Sequence, residues 1–201
     1  MYIPPPRNIS GAFLCYNTQM LRVTSGSAKG KKLKAPDLAE YRGVQDVAKL
    51  AIFSILGERV IDAACLDLYA GSGSLGIEAL SRGAKTCDFV DESRMAEVVL
   101  EENLRNTGFE NRGGVFKQDS IKFVGNTEKT YDLVFADPYY KEIHFKFLFE
   151  QLEQILNEKG VIIFSHGKDT DIEEEISNTK TLEIYDQKRY GNAYITIMKK
   201  E

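Results

Sequence analysis

The sequence predicts an α/β fold: seven strands in one mostly parallel sheet, the last strand antiparallel, with a β-hairpin extending the N-terminus. Three observations predict it. Short apolar runs alternate with helical patterns along most of the 201-residue chain, as repeated βα units require. One such run, 63–66, passes through Asp67 into the glycine-rich stretch 71–76 and then into a helical pattern. The chain closes on two strand-like runs joined at Tyr190-Gly191-Asn192, which read as an antiparallel hairpin.

Taken in order, residues 1–20 show no periodicity and hold one charge, Arg7, and three consecutive prolines. They lack the apolar core of a signal peptide, and a disordered extension is expected. Residues 21–25 and 31–35 flank Gly26-Ser27-Ala28-Lys29-Gly30 as a β-hairpin. Val44, Val47, Ala48, Ala51, Ile52, Ile55 and Leu56 recur at helical spacing, and Gly57 ends that helix. Strands are predicted at 65–69, 86–91, 114–117, 131–136 and 161–165, helices at 74–82, 94–106 and 143–157, and the closing strands at 181–189 and 193–199. This divides the chain into an extension (1–20), a basic hairpin with the first helix (21–60), and the main α/β domain (61–201). Ligands of such sheets sit beyond the carboxyl ends of the strands.

Composition narrows the function. With 43% hydrophobic and 28% charged residues the chain reads as soluble and globular, and no apolar run approaches the ~20 residues of a membrane helix. Cys15, Cys65 and Cys87 form no C-x-x-C, and His144 and His166 are the only histidines. Free thiols in a reducing, cytoplasmic setting are expected, with neither a metal site nor a Ser-His-Asp triad. A monomer is expected. The net charge of −4 is uneven. Residues 21–49 carry seven basic and three acidic side chains, whereas 50–201 carry 18 basic and 27 acidic. Arg22, Lys29, Lys31, Lys32 and Lys34 cluster without an acid between them, the electrostatic footprint of a site for a polyanion.

Gly71, Gly73 and Gly76 fit G-x-G-x-x-G, a dinucleotide fingerprint that is weak alone. Asp67 changes its meaning, because a carboxylate at the mouth of the loop repels a pyrophosphate and favours a cationic ligand such as S-adenosylmethionine. Four acids follow or end predicted strands: Asp67, Asp91, Asp119 and Asp137. In a parallel sheet they line one cleft. Asp91 lies 20 residues after Gly71, close to the separation of a ribose-binding acid. Asp119 suits an adenine amine or a helix N-cap, and the two roles are compatible. In Asp137-Pro138-Tyr139-Tyr140, an acid held extended by the following proline presents its carboxylate beside the Pro138 carbonyl. Two adjacent acceptors suit an exocyclic –NH2, and an aromatic beside them can stack on a base.

These stretches resemble the class I S-adenosylmethionine-dependent methyltransferases that modify exocyclic amines. The nearer resemblance is to the RsmD-type family, which methylates guanine N2 in 16S ribosomal RNA. It rests on 21–26 with 29–33, on 66–84, and on Lys188-Arg189-Tyr190-Gly191, and spans about 21–199. The chain departs from the family at Tyr139, where a second proline is usual, and at Arg42-Gly43-Val44-Gln45-Asp46-Val47, where Arg-Pro-Thr-x-Asp-Arg is usual. The resemblance implies a Rossmann-like methyltransferase sheet. It implies S-adenosylmethionine on Ala70, Gly71 and Gly73, its ribose on Asp91 and its adenine near Asp119 and Ser120. It implies a flipped guanine stacked on Tyr140, with its amine on Asp137 and Pro138. It also implies ribosomal RNA or a small-subunit assembly particle as partner, with Arg22, Lys29, Lys31, Lys32 and Lys34 on the RNA. Adenine N6, protein glutamine, an NAD-dependent oxidoreductase and a non-catalytic RNA-binding protein remain alternatives.

Overall fold

The computed structural model describes residues 21–37, 46–138, 145–191 and 193–201. Its elements are α1 (Asp46–Leu56), β1 (Ala64–Leu68), α2 (Ser74–Ser81), β2 (Thr86–Asp91), α3 (Arg94–Thr107), β3 (Gly113–Lys117), α4 (Ser120–Asn126), β4 (Tyr131–Ala136), α5 (Phe145–Ile155), β5 (Leu156–His166), α6 (Ile172–Glu175), β6 (Leu182–Tyr190) and β7 (Ala193–Lys200). The seven strands form one sheet in the order β3-β2-β1-β4-β5-β7-β6. The β1–β2, β2–β3, β1–β4 and β4–β5 pairs are parallel, and β7 runs antiparallel to both β5 and β6.

Alternation along the central strands explains the layers. Leu133, Phe135, Val161 and Ile163 enter one apolar cluster with Ile52, Phe53, Leu80 and Leu100; Leu66, Leu68, Val134, Ile162 and Phe164 enter the other with Phe149 and Leu152. The sheet is therefore covered on both faces, which is why its strands read as near-continuous apolar runs. Cys65 and Cys87 pair in register on adjacent parallel strands, both fully buried in the first cluster, and burial pushes both thiols well above their usual range. Strand order reverses between β1 and β4, and the crevice for a ligand opens beyond the carboxyl ends of those two strands.

Four elements differ from the sequence-based expectation. The N-terminal hairpin is reduced to one antiparallel bridge, Arg22 to Lys32. Turn bonds such as Gly30 N–H to the Val23 carbonyl close its tip, and side chains of α2 and α3 take several of its other backbone groups. Thr24 N–H donates to Glu78 Oε2 at 2.7 Å, Ala28 N–H to Ser81 Oγ at 2.9 Å, and Asn106 Nδ2 donates to the Lys32 carbonyl at 2.8 Å. Gly57 ends α1, but the chain continues as a 3₁₀ turn through Val60. The predicted helix 143–157 gives way at Leu156 to β5, and α6 is a single turn capped by Asp171 that carries no apolar periodicity to announce it. Among the described residues no helix is long and apolar enough to cross a membrane, and no His, Cys, Asp and Glu cluster suits a metal ion.

Candidate active site

The loop after β1 is shaped by backbone that side chains disfavour. Tyr69 adopts φ +56° and Gly73 φ +73°. A left-handed non-glycine residue costs on the order of 1–3 kcal/mol, and such strain concentrates at ligand sites. A Cβ on Gly73 would lie 2.5 Å from Leu100 Cδ2, and one on Gly76 2.4 Å from Phe89 Cε1. Gly76 thus lets α2 pack directly on β2. Asp67, 3% exposed, lies beneath the loop, and its Oδ2 accepts the Gly76 N–H at 2.9 Å. Burial pushes its carboxyl up to about 8, the Gly76 bond opposes the rise, and the carboxylates of Asp137 and Asp91 add to it. Three of the four sequence-predicted acids therefore share one field.

Asp91 ends β2. Its Oδ2 accepts the Gly71 N–H and its Oδ1 the Ser93 N–H, both at 2.9 Å, so it ties the glycine loop to the start of α3. Each oxygen keeps a second lone pair for a ligand hydroxyl. Ala70 N–H donates to the Val90 carbonyl at 3.1 Å. Asp119 caps α4 by accepting the Lys122 N–H at 2.8 Å, and Ser120 behind it is buried. The Tyr69 hydroxyl is pushed up to about 12 by burial first, then by the nearby carboxylates of Asp119 and Glu92. That links Asp119 to the loop as well.

Asp137 follows β4, half-buried, with Pro138 buried beside it. The register Ala136 to Phe164 brings it alongside Ser165 of β5, whose hydroxyl donates to its carboxylate. Burial raises the Asp137 carboxyl to about 6, against the lowering effect of the Ser165 bond. Tyr140, Tyr139 and residues 42–45 lie outside the described residues. Of the basic cluster, Arg22 pairs with Asp46 at 2.9 Å, Lys31 Nζ donates to the Asn106 carbonyl at 2.7 Å, and Lys34 pairs with Glu102 at 2.5 Å; Lys29 and Lys32 are exposed on the same segment.

Sequence reasoning missed Tyr69, Ser74, Ser165 and Asn103. The last sits on the buried stripe of α3 with Ala96, Leu100 and Leu104, where a polar residue at core spacing is itself a signal. Among the described residues, the Tyr69 and Ser74 hydroxyls at the two ends of the loop are buried without a hydrogen-bond partner. With the carboxylates of Asp67, Asp91 and Asp119 around the same loop, this donor and acceptor set fits a nucleoside bearing a cationic tail.

The chain is similar to known proteins in sequence and fold. Residues 21–199 match the family described as Conserved hypothetical protein 95. YlbH of Bacillus subtilis (strain 168), provisionally named an rRNA methyltransferase, is 34% identical over 185 residues, covering 90% of this chain and 99% of its own. Ribosomal RNA small subunit methyltransferase D of Escherichia coli (strain K12) is 31% identical over 140 residues, covering 70% and 68%. Among solved structures, yhhF of Escherichia coli, provisionally named a methyltransferase, superposes with a TM-score of 0.80 at 25% identity, covering 90% of this chain and 98% of that one.

Proposed function

The chain belongs to the Conserved hypothetical protein 95 family as an RsmD-type S-adenosylmethionine-dependent methyltransferase of ribosomal RNA, and on that premise we propose that its acceptor is the exocyclic N2 amine of a guanine in the 16S RNA. The observation that carries this reading is Asp137, a half-buried carboxylate that directly precedes Pro138 and lies in the same field as Asp67 beneath the glycine loop.

Ala70, Gly71 and Gly73 are the proposed cradle of the cofactor, with Asp91 on the ribose and Asp119 and Ser120 toward the adenine. When bound, the cofactor supplies an electrophilic methyl group on a sulfonium. Asp137 and the Pro138 carbonyl accept the two N–H bonds of the amine. This draws the nitrogen lone pair out of conjugation with the ring and aims it for in-line attack. Tyr140 stacks on the flipped base, offsetting an unstacking cost of a few kcal/mol. The methylated nitrogen must lose a proton, and an Asp137 carboxyl held near 6 is matched to take it. Arg22, Lys29, Lys31, Lys32 and Lys34 hold the RNA backbone, which sets register rather than base choice. Asp67 shapes the cofactor loop from beneath, its Oδ2 accepting the Gly76 N–H.

The test is deletion of the gene followed by mass mapping of modified guanines in ribosomal RNA. Loss of one N2-methylguanine from the small-subunit RNA, restored by the purified protein with S-adenosylmethionine, is expected. Loss of an N6-methyladenine instead would reassign the acceptor.

A further inference from the structure

Asn103 of α3 is 1% exposed and has no part in the chemistry above. Its Oδ1 accepts the Lys34 N–H at 2.8 Å, and its Nδ2 donates to the Lys34 carbonyl and to the Ser72 carbonyl, both at 2.9 Å. Both amide donors and one acceptor lone pair are thereby used. Lys34 belongs to the basic segment and Ser72 to the glycine loop. One buried side chain thus holds the backbone of both. Burying an amide is costly unless it is hydrogen-bonded, and Ala96, Leu100 and Leu104 on the same stripe meet the needs of packing without one. The bonds to Lys34 and Ser72 are what an amide adds at this position.

We infer that Asn103 is a positioning residue for methyl transfer, fixing the spacing between the segment that grips RNA and the loop that holds the methyl donor. The inference rests on the function proposed above. RNA backbone and cofactor dock on separate elements, and in-line attack tolerates little displacement between them; a shift of about 1 Å can cost on the order of 10²-fold in rate. Without the tie each surface still binds its own ligand, but the two ligands lose register. The loss therefore belongs in kcat and not in either affinity.

The test compares Asn103→Ala and the milder Asn103→Ser with the wild type, using S-adenosylmethionine and unmodified small-subunit particles. For Asn103→Ala, kcat should fall by roughly 10- to 100-fold. Asn103→Ser, which keeps one donor, should fall less. KM for each substrate should stay within about threefold of the wild type, and calorimetry should still count one S-adenosylhomocysteine per chain, so the loss is not unfolded protein. A second measurement needs only the wild type. S-adenosylhomocysteine bound at the loop should slow amide exchange at Lys34 several-fold, an effect that Asn103→Ala should abolish. The inference is overturned if Asn103→Ala keeps wild-type kcat, if a higher KM accounts for the whole loss, or if Lys34 exchange ignores the ligand in the wild type. A wild type that leaves ribosomal RNA unmethylated overturns the proposed function, and this inference with it.

Discussion

Asp137 is under two opposing demands. Burial favours its neutral form, holding the carboxyl near 6, while its proposed role needs the ionised form as acceptor. Ser165 moderates the conflict by donating to the carboxylate. Activity should therefore rise as pH passes through about 6, and Ser165→Ala should move that acid limb upward, both read from a pH profile of kcat/KM. Asp137→Ala should cost roughly 10²–10³ in rate, as for loss of a preorganised hydrogen-bond partner, with cofactor affinity nearly unchanged by calorimetry. Wild-type turnover in that variant would move the site elsewhere. Asp91→Ala should behave in the opposite way. It removes the acceptor of the Gly71 and Ser93 N–H groups as well as the proposed ribose contact, so cofactor binding should weaken by about 1–3 kcal/mol.

The basic segment and α3 act as a pair. Replacing Lys29, Lys31, Lys32 and Lys34 by Gln should weaken RNA binding and reduce its salt dependence by roughly 0.7–0.9 in slope for each phosphate no longer neutralised. Cofactor affinity should hold, because the tie to the glycine loop runs through the backbone of Lys34 rather than its ammonium. An unchanged salt slope would mean that these lysines touch no RNA. The same segment marks where sequence reading stops. Strands β2 and β4 are legible to the residue because mainly apolar runs, each interrupted by one acid, end at Asp91 and before Asp137. The pairing of the hairpin is legible, as Arg22 opposite Lys32 shows, but its anchoring is not, because Glu78, Ser81, Asn103 and Asn106, which bind its backbone, stand more than 50 residues away, and no local pattern announces them. For the candidate site, the glycines and strand-end acids carry recognisable spacing. Ser165 and Asn103 enter only through strand register and helix packing.

Across the whole molecule, the buried acids set how stability responds to pH. Asp67, at about 8, and Asp137, at about 6, both lie above the unfolded carboxylate value. The native state keeps protons that the unfolded chain releases, so their contribution is complete in acid and is lost as pH rises through those values. Between pH 6 and 8 Asp67 alone should remove about 2 kcal/mol, read as a falling urea midpoint. Asp67→Asn, which keeps an oxygen for the Gly76 N–H, should flatten that fall, and an equally steep fall in the variant would assign it to other groups. The paired thiols at the centre of the sheet carry a different consequence. Cys65 and Cys87 lie in register on β1 and β2, fully buried and held as thiols. A soluble alkylating reagent can reach them only when those two strands separate. Their rate of mass gain, counted peptide by peptide, becomes a clock for how often the middle of the sheet comes apart, and a tightly bound cofactor seated on β1 and β2 should slow it.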